Sequence, residues 1–180
     1  SWGLSTRFIG AIIMVHGDDQ GLIFPPRLAP FQVVLVPIYK NDEEKAAVMG
    51  AVAKIRAELI AAQIRVKTDE REGFSPGYKF NDWEMRGVPL RIEIGPRDVA
   101  KGTVVLARRD RPGKEGKSFV SRDNLAAAVE KMLVEVQRSL YERALAFRKA
   151  NTVETDNYQQ FKVAVEKGFA FSFWCGSAAC

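Results

Sequence analysis

Apolar residues recur along this chain in two periods, and segments of one period alternate with segments of the other. Phe8, Ile12 and Val15 follow one another at helical spacing, with Ile9 and Ile13 widening the stripe, so Thr6 to His16 is expected to be a helix that Thr6 is well placed to start. Gly17, Gly21, Pro25, Pro26 and Pro30 then interrupt regular structure, and a domain boundary is expected there. "FQVVLVPI" is a continuous apolar, β-branched run, the pattern of a buried and parallel strand. Asn41 and Asp42 cap a long helix to about Gln63, with Ala47, Ala51, Ile55 and Leu59 inward. "IRVKTD" is a second strand, "SPG" a turn, and "YKFNDWEMRG" a short helix. "PLRIEIG" alternates, Leu90, Ile92 and Ile94 to one side and Arg91 and Glu93 to the other.

"GTVVLARR" is a further strand, followed by the polar loop "DRPGKEGKS" and a short strand at Phe119. Leu125, Val129, Met132, Val136 and Leu140 mark the core stripe of a helix from about Arg122 to Ala150. "TVETDNYQQFKVAVEKG" reads as one more helix, capped near Thr155 or Asp156. "FAFSFWC" reads as a closing strand with Phe169, Phe171 and Phe173 on one face. From Phe31 to Ala150 the order is therefore β-α-β-α-β-β-(β)-α, which predicts an α/β domain of three layers, a mixed sheet flanked by helices.

Composition narrows the function classes. The chain has 180 residues, 47% hydrophobic and 27% charged, an ordinary balance for a soluble globular protein. Its apolar runs fall far short of the roughly 20 residues of a membrane-spanning helix, and no signal peptide is visible. Two cysteines are too few for a disulfide scaffold, so a reducing, cytoplasmic setting is expected. The net charge of +5 suits a polyanionic partner, and the stretch Arg108 to Arg122 holds six Lys/Arg against Asp110 and Glu115. There is no convincing Ser/His/Asp or Cys/His set and no Gly-rich phosphate loop; His16 reads as a motif or packing residue. The start at Ser1 and the finish on Cys180, five residues after Cys175, suggest part of a longer protein.

Two stretches carry a resemblance over essentially the whole chain. "SWGLSTRFIGAIIMVHGDDQGLIFPPRLAPFQVVLVPI" resembles the third signature motif of class II aminoacyl-tRNA synthetases and their passage into an anticodon-binding domain. "PGYKFNDWEMRGVPLRIEIGPRD" resembles the core of that domain. Together they resemble prolyl-tRNA synthetases of the archaeal and eukaryote-like form; threonyl, glycyl and histidyl enzymes share the domain but spell these motifs differently. The resemblance implies that residues 1–29 end a catalytic domain and that 30–150 bind the anticodon. Residues 151–180 would begin an α+β, zinc-binding-like C-terminal domain. It also implies a homodimeric ligase that activates proline with ATP and Mg2+ and esterifies tRNA(Pro). This stretch alone is expected to be inactive, to bind tRNA, and to expose the apolar face of its first helix. A stand-alone tRNA-binding module, or a related class IIa enzyme of other specificity, is the alternative.

By the same resemblance, Arg7 packs on the adenine of ATP and pairs with phosphate. A guanidinium can do both, and the first turn of a helix directly after a strand would aim it at the ligand. Trp2, Ser5 and Thr6 are implied to line the proline and nucleotide pocket. Phe80, Glu84 and Arg91 are implied to read the anticodon. Proline anticodons end in two guanines, whose Watson–Crick N–H donors suit Glu84 and whose O6 and N7 acceptors suit Arg91. Unpaired bases stack on aromatics, which suits Phe80. The competing interpretation is a Glu84–Arg91 surface salt bridge with Phe80 in the core. Lys79, Arg97, Arg108, Arg109, Arg111, Lys114 and Lys117 are candidates for the tRNA backbone. Cys175 and Cys180 are implied to be the first pair of a zinc site; with two of four ligands, little or no tight Zn2+ binding is expected.

Overall fold

The computed structural model describes residues 3–178, which divide into two compact units, one running through Leu140 and the other starting at Tyr141. In the first unit α1 (Phe8–His16) precedes β1 (Val33–Pro37), α2 (Asp42–Ala61), β2 (Val66–Thr68), α3 (Pro76–Met85) and β3 (Leu90–Ile94). Then come α4 (Pro96–Lys101), β4 (Thr103–Arg108), a 3-10 turn (Lys114–Gly116), β5 (Lys117–Ser121) and α5 (Leu125–Ala150), which runs on past Leu140. The sheet order is β2-β1-β3-β4-β5. β1 pairs in parallel with β2 and β3, while β3–β4 and β4–β5 are antiparallel. This is the mixed sheet between helices that the sequence predicts.

The layers follow from the side-chain pattern. Val33 and Leu35 of β1, Leu90, Ile92 and Ile94 of β3, and Val104 and Leu106 of β4 meet Val48, Val52, Ile55 and Leu59 of α2 and Leu125, Val129 and Leu133 of α5. On the other face Val34 and Val36 pack with Trp83 of α3, with Phe80 and Val88 beside them. β1 is thus buried on both faces, as its unbroken apolar run requires. Burying a Leu, Val or Phe side chain contributes about 1.5–3 kcal/mol, so these two clusters dominate the stability of the unit.

Local chemistry sets the helix ends. Asn41 caps α2 by accepting from Glu44 N at 2.8 Å, and Asp42, Glu43 and Glu44 complement the positive end of its dipole. The "SPG" segment starts α3 instead of merely turning the chain, because Ser75 accepts from Tyr78 N at 3.3 Å and Pro76 occupies the first helical position. The sequence reading passed over α4. Its signals are Pro96 at the start, Asp98 accepting from Gly95 N at 2.9 Å, and Gly102 at φ +64° behind it. Ala47, expected inward, is exposed, and Val48 and Val52 are buried in its place; in α5 Leu133 is buried and Met132 only partly so.

The Gly- and Pro-rich passage after α1 is docked on the first unit rather than loose. Leu22 N donates to Met85 O and Phe24 N to Gly87 O, at 3.1 and 3.0 Å. Gly87 sits at φ +74°, and a Cβ there would come within 2.5 Å of Leu22 O. Ile23 is buried with Val136 and Leu140, and Arg65 donates to the carbonyls of Pro26 and Ala29.

Two expectations at the ends of the chain are corrected. Thr6 does not cap α1: Arg7 holds the N-cap position without a side-chain cap bond, and no strand precedes the helix among the described residues. Phe8, Ile9, Ile13 and Val15 are about half exposed. In the second unit the expected single helix splits into β6 (Thr152–Glu154) and α6 (Tyr158–Lys167), because Asn157, not Thr155 or Asp156, caps α6 by accepting from Gln159 N and Gln160 N. β7 (Phe169–Phe171) pairs in parallel with β6 and ends before Phe173. No helix among the described residues is long and apolar enough to cross a membrane.

Candidate nucleic-acid interface

Phe80 and Glu84 lie one turn apart on α3, and Arg91 stands on the neighbouring strand β3, so the fold brings the three together. The guanidinium of Arg91 lies over the Phe80 ring, 4.1 Å from its centroid. Its Nη1 donates to Glu84 Oε1 at 2.7 Å, while Nε and Nη2 donate to Glu93 Oε1 at 3.1 and 2.9 Å. Lys117 Nζ of β5 lies 3.0–3.1 Å from both Glu93 oxygens and 5.6 Å from the Phe80 centroid. The result is an alternating chain of charges, Glu84–Arg91–Glu93–Lys117, flanking one aromatic ring.

Arg91 is therefore not free on a polar face, as its alternation suggested. Its side chain is 8% exposed, and a buried guanidinium is stable only when its donors are matched. The Glu84–Arg91 pair does form, but Arg91 lies inside the protein while Glu84 is the solvent-facing member at 32%. Glu93 was visible in the sequence only as Arg91's companion on that face; that alternation was the one signal for its bracing role.

Behind the cluster, a second network holds α3 to the sheet. The Asp69 side chain is fully buried; Oδ1 accepts from Arg71 N and Nε, and Oδ2 accepts from Arg71 Nη2 at 2.7 Å and Trp83 Nε1 at 2.8 Å. Burial alone would raise its pKa, but the Arg71 and Trp83 hydrogen bonds outweigh it and hold the carboxyl down at about 2. The same bond to Asp69 raises the pKa of Arg71 above its ordinary value. Arg71 also reaches Asp82 at 2.8 Å. Nothing in the sequence singled out Asp69.

The backbone-contact candidates separate into two groups. Lys79 is buried, its Nζ donating to Asp69 O at 3.3 Å, and Arg109 is buried with Nε donating to Glu84 O at 2.8 Å and both Nη atoms on Asp18. Both are turned inward as braces, a correction to their expected place on the tRNA backbone. Arg108 pairs with Asp110 and Glu135, and the Asp110 hydrogen bond raises its pKa against the opposing effect of burial. Arg97, Arg111, Lys114 and Lys117 are exposed.

The remaining candidates lie elsewhere. Ser5, Thr6 and Arg7 are exposed at the start of α1. Trp2 and Cys180 lie outside the described residues. Cys175 is exposed, its Sγ 3.4 Å from Ser177 N. Among the described residues no group of three or more His, Cys, Asp or Glu side chains is placed to hold a metal ion.

Carboxylate, guanidinium and aromatic ring thus meet where α3 packs beside β3 of an α/β domain. The model of the anticodon binding domain family matches residues 32–132, and the chain belongs to that family. It is 59% identical over 179 residues to a proline–tRNA ligase of Chloroflexus aggregans, covering 99% of this chain and 37% of that protein. Identity to the proline–tRNA ligase of Roseiflexus castenholzii is 54% over 177 residues, covering 98% of this chain and 37% of that one. For the chloroplastic/mitochondrial proline–tRNA ligase of Arabidopsis thaliana it is 50% over 183 residues, covering 99% and 34%. The chain spans little more than a third of the length of these relatives.

Proposed function

We propose that this chain is the anticodon-reading part of a proline–tRNA ligase and that Phe80, Glu84 and Arg91 recognise an anticodon guanine of tRNA(Pro). The observation that carries this reading is the convergence of the three side chains, with Arg91 on Phe80 and Glu84 about a third open to solvent. An incoming guanine exchanges the Nη1–Oε1 contact for its own N–H donors on Glu84, and its O6 or N7 accepts from Arg91. Arg91 keeps its two bonds to Glu93 during this exchange, so the guanidinium stays aimed. Phe80 supplies a stacking surface for an unpaired base. Arg97, Arg111 and Lys114 serve the phosphates, with Arg108 beside them, adding salt-dependent affinity and no sequence preference.

The whole protein, on this reading, activates proline with ATP and transfers it to tRNA(Pro), as a cytoplasmic homodimer. Residues 1–29 close its catalytic domain, 30–150 bind the anticodon and 151–180 open a C-terminal domain. Arg7, with Ser5, Thr6 and Trp2, serves the nucleotide, and the positive end of the α1 dipole favours phosphate there. Mg2+ would neutralise phosphate charge when bound. No role is assigned to Zn2+ at Cys175 and Cys180.

The test is binding to an anticodon stem–loop of tRNA(Pro) across salt, beside versions with either guanine replaced. A loss of about 1–3 kcal/mol per replaced guanine, abolished in Glu84→Ala and Arg91→Ala, is expected. Equal binding to every stem–loop, vanishing with salt, would overturn the reading.

A further inference from the structure

β5 is an edge strand, and its register continues the Arg91 cluster outward. Arg91 lies opposite Ala107, and Ala107 opposite Lys117; Glu93 lies opposite Val105, and Val105 opposite Phe119. Directly opposed residues share a face of the sheet, so Arg91, Glu93, Lys117 and Phe119 all stand on the same side. Lys117 spends its ammonium on Glu93. Phe119 is 79% exposed, an aromatic ring held in water from the middle of a paired strand rather than from a loose loop. On the strand between, the positions facing this side are the small Ala107 and Val105, and the Lys117 side chain reaches across them to Glu93.

We propose that Phe119 is a second stacking platform of this surface, taking the unpaired base next to the guanine held by Glu84 and Arg91. It rests on the anticodon reading above and extends it to a residue that reading does not use. Two strand spacings, about 10 Å, separate the Glu93 and Phe119 positions, a step suited to an adjacent, unstacked nucleotide. The occupant is an RNA base and not an apolar protein surface because Phe119 lies on the same face as the Glu84–Arg91 pair. The segment leading into β5 also carries the exposed cations Arg111 and Lys114, which suit a phosphodiester chain. Every base has a π-face, so Phe119 adds affinity without sequence preference, whereas Glu84 and Arg91 add preference.

The experiment uses the whole chain and the two-guanine stem–loop, with 2-aminopurine placed in turn at each loop position flanking the guanines. Phe119→Leu keeps an apolar side chain and removes the ring; Phe119→Tyr keeps the ring. The expected result is a roughly 5- to 100-fold weaker complex for Phe119→Leu, by the same factor for wild-type and guanine-replaced loops. At one flanking position 2-aminopurine is quenched with wild type and with Phe119→Tyr, and bright with Phe119→Leu. The proposal is overturned if Phe119→Leu binds within about twofold of wild type with quenching unchanged at both positions. It is also overturned if the loss is equal on a plain duplex without a loop. Failure of the anticodon reading shows itself separately, as wild-type protein that does not distinguish the guanines.

Discussion

Replacing Asp69 with asparagine removes the one charge that the buried anchor of α3 is built around. In the folded chain this carboxyl sits at about 2, against an ordinary 3.8. A difference of about 1.8 units corresponds to about 2 kcal/mol of stability from the ionised form. Because the folded value is the lower one, that contribution is complete above about pH 5 and is lost as pH falls through about 2; near pH 3 roughly half remains. Asparagine resembles the protonated acid in size and charge but also turns an NH2 group toward Arg71 or Trp83, which donate and cannot accept. The total expected loss at pH 7 is therefore about 2–4 kcal/mol. The assay is urea unfolding of wild type and Asp69→Asn at pH 7 and pH 3, with the Trp83 indole N–H resonance reporting the local bond. The gap between the two proteins should narrow by about 1 kcal/mol at the lower pH. A gap under about 0.5 kcal/mol at pH 7, or one of the same size at both pH values, would show that the buried ion contributes nothing over its hydrated state.

Arg109→Met removes the two guanidinium bonds to Asp18 and the one to Glu84 O and should cost about 1–3 kcal/mol, with faster amide exchange at Leu22 and Phe24; unchanged exchange would mean that the ion pair does not hold the passage down. Gly87→Ala places a side chain at φ +74° against Leu22 O and should cost about 1–3 kcal/mol in thermal unfolding; an unshifted melting temperature would refute the close approach. Arg97→Ala should lower the salt-dependence slope of stem–loop binding by about one while leaving guanine preference intact. Lys79→Met should leave that slope unchanged and reduce stability instead, since its ammonium faces Asp69; a lowered slope would place Lys79 on the phosphates after all.

The layers of the fold were legible because each strand carried its own pattern. "VVLV" reads as buried on both faces and "LRIEI" as alternating, and β1 and β3 take those roles in the centre of the sheet. Short elements were not legible. α4 has six residues, too few for a helical period, and is specified by its caps alone. The split at Asn157 turned on which of three adjacent polar residues supplied the capping oxygen, and periodicity does not distinguish them. For the candidate interface, the motif brought out Phe80, Glu84 and Arg91, and alternation gave the side of the sheet. What escaped was pairing. Whether Lys79 and Arg109 face water or Asp69 and Asp18 depends on contacts across 10 and 91 residues of chain, which a local reading does not contain.

The two borders of the five-stranded sheet differ from its centre in a way that bears on how the protein fails. β2 has three residues with the exposed Lys67 at its middle, and β5 begins with Lys117 and carries Ser118 and Ser121. Short, charged or hydroxyl-bearing borders are poor templates for a further strand. Large apolar side chains are left in water on α1, where Phe8, Ile9, Ile13, Met14 and Val15 are all about half exposed or more, at Phe119 of β5, and in the second unit at Phe169, Phe171, Phe173 and Trp174. Association through these exposed side chains should be reversible with mild detergent, and pairing onto the short, charged edge of β2 should contribute little to it.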